Sequence, residues 1–235
     1  MHALKLMAAF TFLTSSSCLF SQPIVQEHLH NVSQLSASGW VEVQQDVLTI
    51  SMTTSRDGVD AALIQRQLQQ ALDEALTQTK TFAMPGQMDV RTGDFSLYPR
   101  YGKDGKSNGW QGSTELVLEG RDFTRITSTA SKIQSLNLGH VSFSLSRERR
   151  VNVESEAQAI AIERFKGKAQ EISQGFGFKS YSLREITVNS NDQNNSPRPR
   201  NMALQAKSDM SDTSIPAQAG KTAVLITVSG SIQMK

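Results

Sequence analysis

The spacing of apolar residues along this chain changes between two residues and about 3.6 residues, and this change constrains the fold more than any other sequence feature. A period of two predicts strands, whereas a period of 3.6 predicts amphipathic helices. Strands are predicted over residues 35–43, 47–54, 90–101, 110–118, 141–145, 178–188 and 222–232, and helices over 60–80, 122–136 and 153–175. The order ββαββαβαββ predicts an α+β fold, with antiparallel or mixed sheets of about seven strands packed against three helices.

Turn residues separate these segments. The polar run 44–46 between the first two strands predicts a hairpin turn. The glycine-rich run 102–109 predicts a second hairpin, between the third and fourth strands. Asp60 is a candidate N-cap for the first helix, and Pro85 with Gly86 ends that unit.

Small and apolar residues recur at intervals of three and four along the third predicted helix: Ala157, Ala161, Phe165, Ala169, Ile172 and Phe176. Small side chains on one helix face allow the backbone to lie close to a sheet or to another helix. Ordinary packing against a core explains the same pattern, and it is the favoured interpretation.

The N-terminus has the three-part pattern of a secretory signal peptide. Lys5 supplies the positive charge, residues 6–13 are mainly apolar, and residues 14–17 are small and polar. We expect cleavage after Ser21, with cleavage after Cys18 as the alternative. The apolar part is less than half of the ~20 residues that span a bilayer, and no later segment is long and apolar enough. The expected location is the periplasm, either free or in association with the outer membrane, with no transmembrane span.

These expectations divide the chain into a signal peptide (1–21), an N-terminal tether (22–33) and a folded domain (34–235). Cys18 is the only cysteine, so its removal leaves no disulfide, thiolate nucleophile or cysteine metal site. Removing Lys5 and no acidic residue lowers the formal net charge from +2 to about +1. A charge this small predicts no binding to nucleic acid.

Two glycine motifs resemble nucleotide-binding loops but lack their requirements. Gly105, Lys106 and Ser107 could end a phosphate-binding loop, yet Arg100 stands where its first glycine is needed, and a strand follows. A hairpin turn is the favoured interpretation. The run 175–177 lacks the third glycine of a dinucleotide fingerprint and follows a helix, so it predicts a helix end. No cofactor is expected.

The sequence offers one weak candidate for a catalytic residue. His140 is the only histidine in the predicted domain, so a Ser-His-Asp triad would have to use it. A surface imidazole is the favoured account. His28 and His30 with Glu27 are too few ligands for a closed metal site. The sequence therefore predicts a protein that is not an enzyme, with no catalytic, cofactor-binding or metal-binding residue.

Two polar segments have alternative interpretations. The run 147–150, Arg-Glu-Arg-Arg, predicts a solvated turn. The alternative, which is more specific, is a surface that binds an anionic partner. The Asn-, Ser- and Pro-rich segment 189–220 carries Arg198 and Arg200. Its composition and length predict a flexible loop, or else a loop that orders against a partner subunit.

Five segments, taken in their order along the chain, together resemble the SIMPL-domain (DUF541) family over about residues 36–228. They are residues 90–101 (VRTGDFSLYPRY), 112–116, 120–123, 141–146 and the helix with Ala157, Ala161, Lys168 and Ala169. The resemblance implies an α+β fold, secretion to the periplasm, channel-like or ring-like assembly and a link to envelope and oxidative stress. The family has no established catalytic residues, so none is transferred. Trp110, Phe165 and the long late loop depart from the family pattern.

Signature residues of that resemblance also have structural interpretations. Pro99 removes a backbone donor, which favours a strand end or an edge strand. Asp122 is a candidate N-cap for the second helix, and Arg121 can bind a carboxylate. The functional expectation is a self-assembling homo-oligomer in the periplasm with a structural or stress-protective role. The alternative is an adaptor that uses the loop 189–220 to bind a small ligand or an envelope protein.

Overall fold

The computed structural model describes residues 30–190 and 217–235. The predicted signal peptide, most of the tether and most of the loop 189–220 lie outside these residues. The strands are β1 (Val32–Gln44), β2 (Val47–Gly58), β3 (Asp89–Tyr101), β4 (Ser107–Gly120), β5 (Asn137–Ser144), β6 (Tyr181–Ser190) and β7 (Lys221–Met234). The helices are α1 (Ala61–Lys80), α2 (Phe123–Ala130) and α3 (Arg147–Gly175). The predicted α+β class and the order ββαββαβαββ are confirmed.

The strands form two sheets, in which all neighbouring strands are antiparallel. One sheet has the order β1-β7-β6, and α3 packs on it; together they form the three-stranded lobe. The other sheet has the order β3-β4-β2-β5, and α1 and α2 pack on it; these elements form the four-stranded lobe. No helix in residues 30–190 and 217–235 combines the length and apolarity that crossing a membrane requires.

The predicted hairpin between β1 and β2 is wrong. β1 pairs with β7, whereas β2 pairs with β4 and β5, so residues 45–46 carry the chain from one sheet to the other. The Gln45 amide donates to the Gly220 carbonyl, and the Asp46 amide donates to the Ser144 carbonyl. A short polar connector has the same local composition whether it forms a hairpin turn or carries the chain from one sheet to another. The pairing with strands that are distant in sequence therefore determines which of the two forms.

The second predicted hairpin is confirmed, because β3 and β4 pair through the turn that contains Gly105. Gly105 has a φ of 74° there, a conformation that favours glycine. Pro99 lies on β3, an edge strand, opposite Trp110. This position agrees with the expectation for a residue without a backbone donor.

The first two helices begin where predicted. The Asp60 side chain accepts hydrogen bonds from the amides of Ala62 and Leu63, and α1 ends at Lys80. The Asp122 side chain accepts a hydrogen bond from the Arg125 amide and caps α2. However, α2 ends at Ala130 instead of Leu136. Leu136 is buried but does not lie in a helix. Its apolar side chain therefore indicates burial and does not indicate that the helix continues.

The third helix starts at Arg147, earlier than the predicted Val153. The run 147–150, predicted as a solvated turn, is therefore its first turn, and that prediction is wrong. Val153 is the first buried residue of α3, so the turns before it show no apolar periodicity. The signal for the true start is the N-cap Ser146, whose hydroxyl accepts a hydrogen bond from the Arg149 amide at 3.4 Å.

Each lobe has its own core. The core of the four-stranded lobe contains Leu48, Ile50, Met52, Ala71, Leu72, Ala75, Met88, Leu116, Leu118, Ile126, Ala130, Ile133 and Leu136. The core of the three-stranded lobe contains Leu35, Ala157, Ala161, Phe165, Ala169, Ile226, Val228 and Ile232. A smaller cluster of Val43, Leu145 and Val153 lies near the connection between the lobes.

The small residues of α3 allow its backbone to touch β1. A Cβ atom on Gly39 would collide with the carbonyl oxygen of Ala157 and lie 2.5 Å from the Ala161 nitrogen. Ala157 and Ala161 are fully buried at this contact. The stripe of small residues thus permits a close approach between helix and sheet, which goes beyond ordinary core packing.

Gly39→Ala should lower the free energy of unfolding by about 1–3 kcal/mol, because α3 must move away from β1 to make room. The matched control is Gly167→Ala in α3, where an added Cβ has no neighbour within 4 Å. That control should raise the free energy of unfolding by about 0.5–1 kcal/mol. Urea denaturation measures both, and equal effects of the two substitutions would contradict the close approach.

Candidate functional site

Within the described residues, the chain passes between the two lobes twice. Residues 45–46 connect β1 to β2, and residues 145–146 connect β5 to α3. These two connectors are adjacent, because the Asp46 amide donates to the Ser144 carbonyl. We call the residues around them the junction: Asp46, Arg121, Ser146 and Glu148.

Asp46 binds the second connector with both carboxylate oxygens. Its Oδ1 accepts a hydrogen bond from the Ser146 amide at 2.7 Å, and its Oδ2 accepts one from the Ser146 hydroxyl at 2.7 Å. The Ser146 hydroxyl in turn accepts the hydrogen bond that caps α3. One carboxylate therefore joins the two connectors and supports the start of the longest helix.

Arg121 extends this network from the connector between β4 and α2. Its Nη2 donates to Glu148 Oε2 at 2.9 Å, and its Nε lies 3.9 Å from Asp46 Oδ2. The expectation that Arg121 binds a carboxylate is confirmed. Glu148 lies in the first turn of α3, where the helix dipole also favours an acidic side chain.

Interactions within the junction shift the pKa values of two of its ionisable groups. Burial alone would raise the pKa of Asp46, but the two hydrogen bonds from Ser146 and the Arg121 charge outweigh burial and hold that pKa below its ordinary 3.8. The hydrogen bond to Glu148 raises the pKa of Arg121 above its ordinary value. Beside the junction, the Arg125 amide lowers the pKa of Asp122.

A cleft of about 560 Å³ opens at the junction. Its charged and amide lining residues are Glu42, Asp46, Arg121, Glu148, Arg149, Asn152 and Glu156. Asp46 and Glu148 both lie close to Arg121, and the hydrogen bonds and cationic charge that lower the pKa of Asp46 make Asp46 a poor proton acceptor. The arrangement suits holding two lobes together. Within residues 30–190 and 217–235, no group of three potential metal ligands could bind an ion.

His140 lies on the exposed face of β5, opposite Ser51 of β2. A catalytic triad requires the serine hydroxyl to be hydrogen-bonded to the imidazole. The Ser51 hydroxyl donates to Glu115 Oε1 instead. The arrangement of these residues does not assemble a triad around His140. The metal-site candidates His28 and Glu27 lie outside the described residues. His30, the first described residue, is exposed.

Glu115 is a residue whose role sequence reasoning missed. It also accepts a hydrogen bond from the Asp94 amide at 3.1 Å, where β3 bulges. A Cβ on Gly93 would lie 2.7 Å from the Glu115 carboxyl carbon, so a larger residue there would displace the Glu115 side chain from this position. The available signal was that Gly93, Asp94 and Glu115 all fall in the segments that carry the family resemblance. Asp46 and Ser146 were missed because their interaction spans 100 residues of sequence.

The two glycine motifs have the structural roles favoured by the sequence. The run with Lys106 forms the turn between β3 and β4, where the Gly102 amide donates to the Lys106 carbonyl. Gly175 is the last residue of α3, and Gly177 follows with a φ of 82°. Neither motif precedes a helix, so neither presents a helix N-terminus to a phosphate.

Comparisons with known proteins give one family. A family model described as SIMPL, a protein of unknown function (DUF541), matches residues 34–232. No curated protein shows significant similarity to the chain. Among solved structures, the crystal structure of AtUAH in complex with glyoxylate aligns at 11% sequence identity and a TM-score of 0.27. The alignment covers 56% of this chain and 34% of that one, and a TM-score this low indicates neither a shared fold nor a shared function.

Asp46→Asn should lower the free energy of unfolding by about 1–3 kcal/mol, because the amide group cannot accept both hydrogen bonds from Ser146. The matched control is Asp57→Asn, which breaks an exposed ion pair with Arg100 and should cost less than about 1 kcal/mol. Urea denaturation at neutral pH measures both. Similar losses in the two variants would show that Asp46 does not join the lobes.

The stabilisation by Asp46 should depend on pH. Because its folded pKa lies below the unfolded value, the stabilisation is fully present above the unfolded pKa of about 3.9 and is lost as the pH falls through the folded pKa. The difference in unfolding free energy between wild type and Asp46→Asn should therefore shrink below that pH. A difference that stays constant in urea titrations from about pH 6 to about pH 3 would contradict this assignment.

Proposed function

Because the chain belongs to the SIMPL (DUF541) family, whose function is unknown, we propose a function from its own residues. The protein is exported to the periplasm, assembles with copies of itself and has a structural role in the envelope or in its response to stress, including oxidative stress. It is not an enzyme. The observation that carries the proposal is the set of open sheet edges in the described part of the chain, among which β6 carries three exposed aliphatic side chains.

The proposed export rests on the N-terminal pattern. Lys5 is followed by an apolar run and then by small polar residues, which is typical of a cleaved signal peptide. The proposed role in envelope stress rests on the family resemblance alone.

The proposed assembly rests on the sheets. Both are open, with β1 and β6 at the edges of one and β3 and β5 at the edges of the other. Open edges can pair with strands of another chain. Leu183, Ile186 and Val188 on β6 are 54%, 42% and 44% exposed, so apolar surface accompanies one of these edges.

The proposed structural role rests on the junction. Its charged side chains bind one another across the two lobes, and the Ser51 hydroxyl binds Glu115 instead of His140. These polar groups therefore have structural partners.

A second candidate function is a protein-binding adaptor of the envelope. Tyr98 and Tyr101 on β3 are 50% and 65% exposed, and exposed tyrosines are enriched at protein interfaces. Replacing both with alanine separates the two candidates. Loss of a bound envelope protein with unchanged oligomeric mass favours the adaptor, whereas a fall in oligomeric mass favours assembly through β3.

Expression of the full-length gene in a Gram-negative host, followed by cell fractionation, tests the first candidate. We expect the protein in the periplasmic fraction, with an N-terminus at Gln22, or at Leu19 if cleavage follows Cys18. Mass spectrometry identifies the N-terminus. Size-exclusion chromatography with light scattering should then give a mass that is a multiple of the monomer mass.

Two outcomes count against the proposal separately. Recovery of uncleaved protein in the cytoplasmic fraction contradicts export. A monomeric mass at every protein concentration contradicts assembly.

A further inference from the structure

The two edges of the three-stranded sheet are protected to different degrees. At β1, Arg164 Nη1 donates to the Ser38 carbonyl at 2.8 Å, and Lys168 Nζ donates to the Ser36 carbonyl at 3.1 Å. Both cations come from α3, which packs over β1. Cationic side chains along an edge strand oppose the addition of another strand. The β1 edge is therefore protected by the protein's own helix.

The β6 edge lacks this protection. Within residues 30–190 and 217–235, no side chain is hydrogen-bonded to the backbone of β6. Leu183 and Val188 pair in register with Ile232 and Val228, which are buried beneath α3. The exposed apolar residues of β6 therefore lie on the same face of the sheet as the core, beyond the area that α3 covers.

We propose that β6 pairs antiparallel with β6 of a second copy, which joins two three-stranded sheets into one sheet of six strands. This inference rests on the self-assembly proposed above and names the surface that makes it. The pairing is related by a twofold axis, so each copy contributes the same residues to the interface. It supplies hydrogen-bond partners to the open edge and places apolar side chains next to each other.

The charges of β6 select one register. Arg184 and Glu185 are consecutive and opposite in sign. When the twofold axis passes between them, Arg184 of each copy lies opposite Glu185 of the other. A shift by one residue places either Glu185 opposite Glu185 or Arg184 opposite Arg184, and like charges in opposite positions destabilise a strand pair.

The same register matches the apolar residues. It places Leu183 opposite Ile186 of the second copy, and Tyr181 opposite Val188. All four lie on the core side of the sheet, because the bulge between Leu183 and Glu185 keeps Leu183 and Ile186 on one face. Arg184 donates to Gln233 Oε1 at 3.2 Å on the opposite face, which separates the charged row from the apolar row. A bulge normally discourages edge pairing; here it produces the matching faces.

The helices do not obstruct this pairing. A twofold axis perpendicular to the sheet places both copies of α3 on the same face. Since α3 lies over β1 and β7, the two helices would be about four strand spacings apart, or roughly 19 Å. Helices in contact are ~8–10 Å apart, so the two copies of α3 do not collide.

Charge reversal tests the pairing on the protein as recovered from the cell. Arg184→Glu and Glu185→Arg should each raise the dissociation constant of the assembly roughly ten-fold or more, because each creates two like-charge pairs at the interface. The double variant R184E/E185R restores the opposite charges and should restore assembly. Light scattering over a concentration series measures all three variants.

The matched control is Lys166→Glu, the same charge change at an exposed site of α3 that forms a 3.2 Å ion pair with Glu163. It should leave the mass of the assembly unchanged. A wild-type assembly whose mass is unaffected by Arg184→Glu overturns the β6 pairing and leaves the proposed assembly in place. A wild-type protein that is monomeric at every concentration overturns both.

A cross-link tests the register without charge reversal. Leu183→Cys and Ile186→Cys, each combined with Cys18→Ser, are produced together in one cell with different mass tags. Opposed Cβ atoms in antiparallel strands are ~4.5–5.5 Å apart, close to the separation in a disulfide. We expect a mixed disulfide between the two variants and none when either is produced alone, because identical positions are then about 7 Å apart along the strands, in addition to the spacing between the strands. An assembled mixture that forms no mixed disulfide overturns the register.

Discussion

The carboxylate of Asp46 is the contact on which the placement of the two sheets depends. The chain leaves the three-stranded lobe after β1 and returns to it after β5, and both crossings are short. Asp46 accepts hydrogen bonds from the amide and the hydroxyl of Ser146, so the crossings are held side by side. The same serine caps α3. One hydrogen-bonded group therefore supports both the relative position of the sheets and the first turn of the longest helix. Arg121 links the connector between β4 and α2 to this group.

From that start, α3 lies against β1, where Gly39 allows the two backbones to touch. A helix ~10 Å in diameter covers about two strands that are ~4.8 Å apart. The sheet has a third strand, β6, and its core-facing row is consequently half exposed. This surface is a geometric consequence of one helix packing on a three-stranded sheet.

Much of the fold was accessible from local patterns. The apolar stripe and Asp60 predicted both ends of α1, and the glycine-rich turn predicted the pairing of β3 with β4. The first turns of α3 were missed because their side chains are exposed and charged, so no apolar period marks them. The connector 45–46 was mistaken for a hairpin turn for a related reason: its residues are polar in either case, and the strands that decide the pairing are far away in sequence.

The sequence by itself determined which segments are strands and helices, their order and the family, because periodicity, capping residues and turn glycines act over a few neighbouring residues. Only the tertiary structure decided that β1 pairs with β7, that Asp46 binds Ser146, and that β6 is left partly uncovered. Those features depend on contacts between residues up to about 200 positions apart. Such contacts are selected by the burial of whole faces, which no local pattern records.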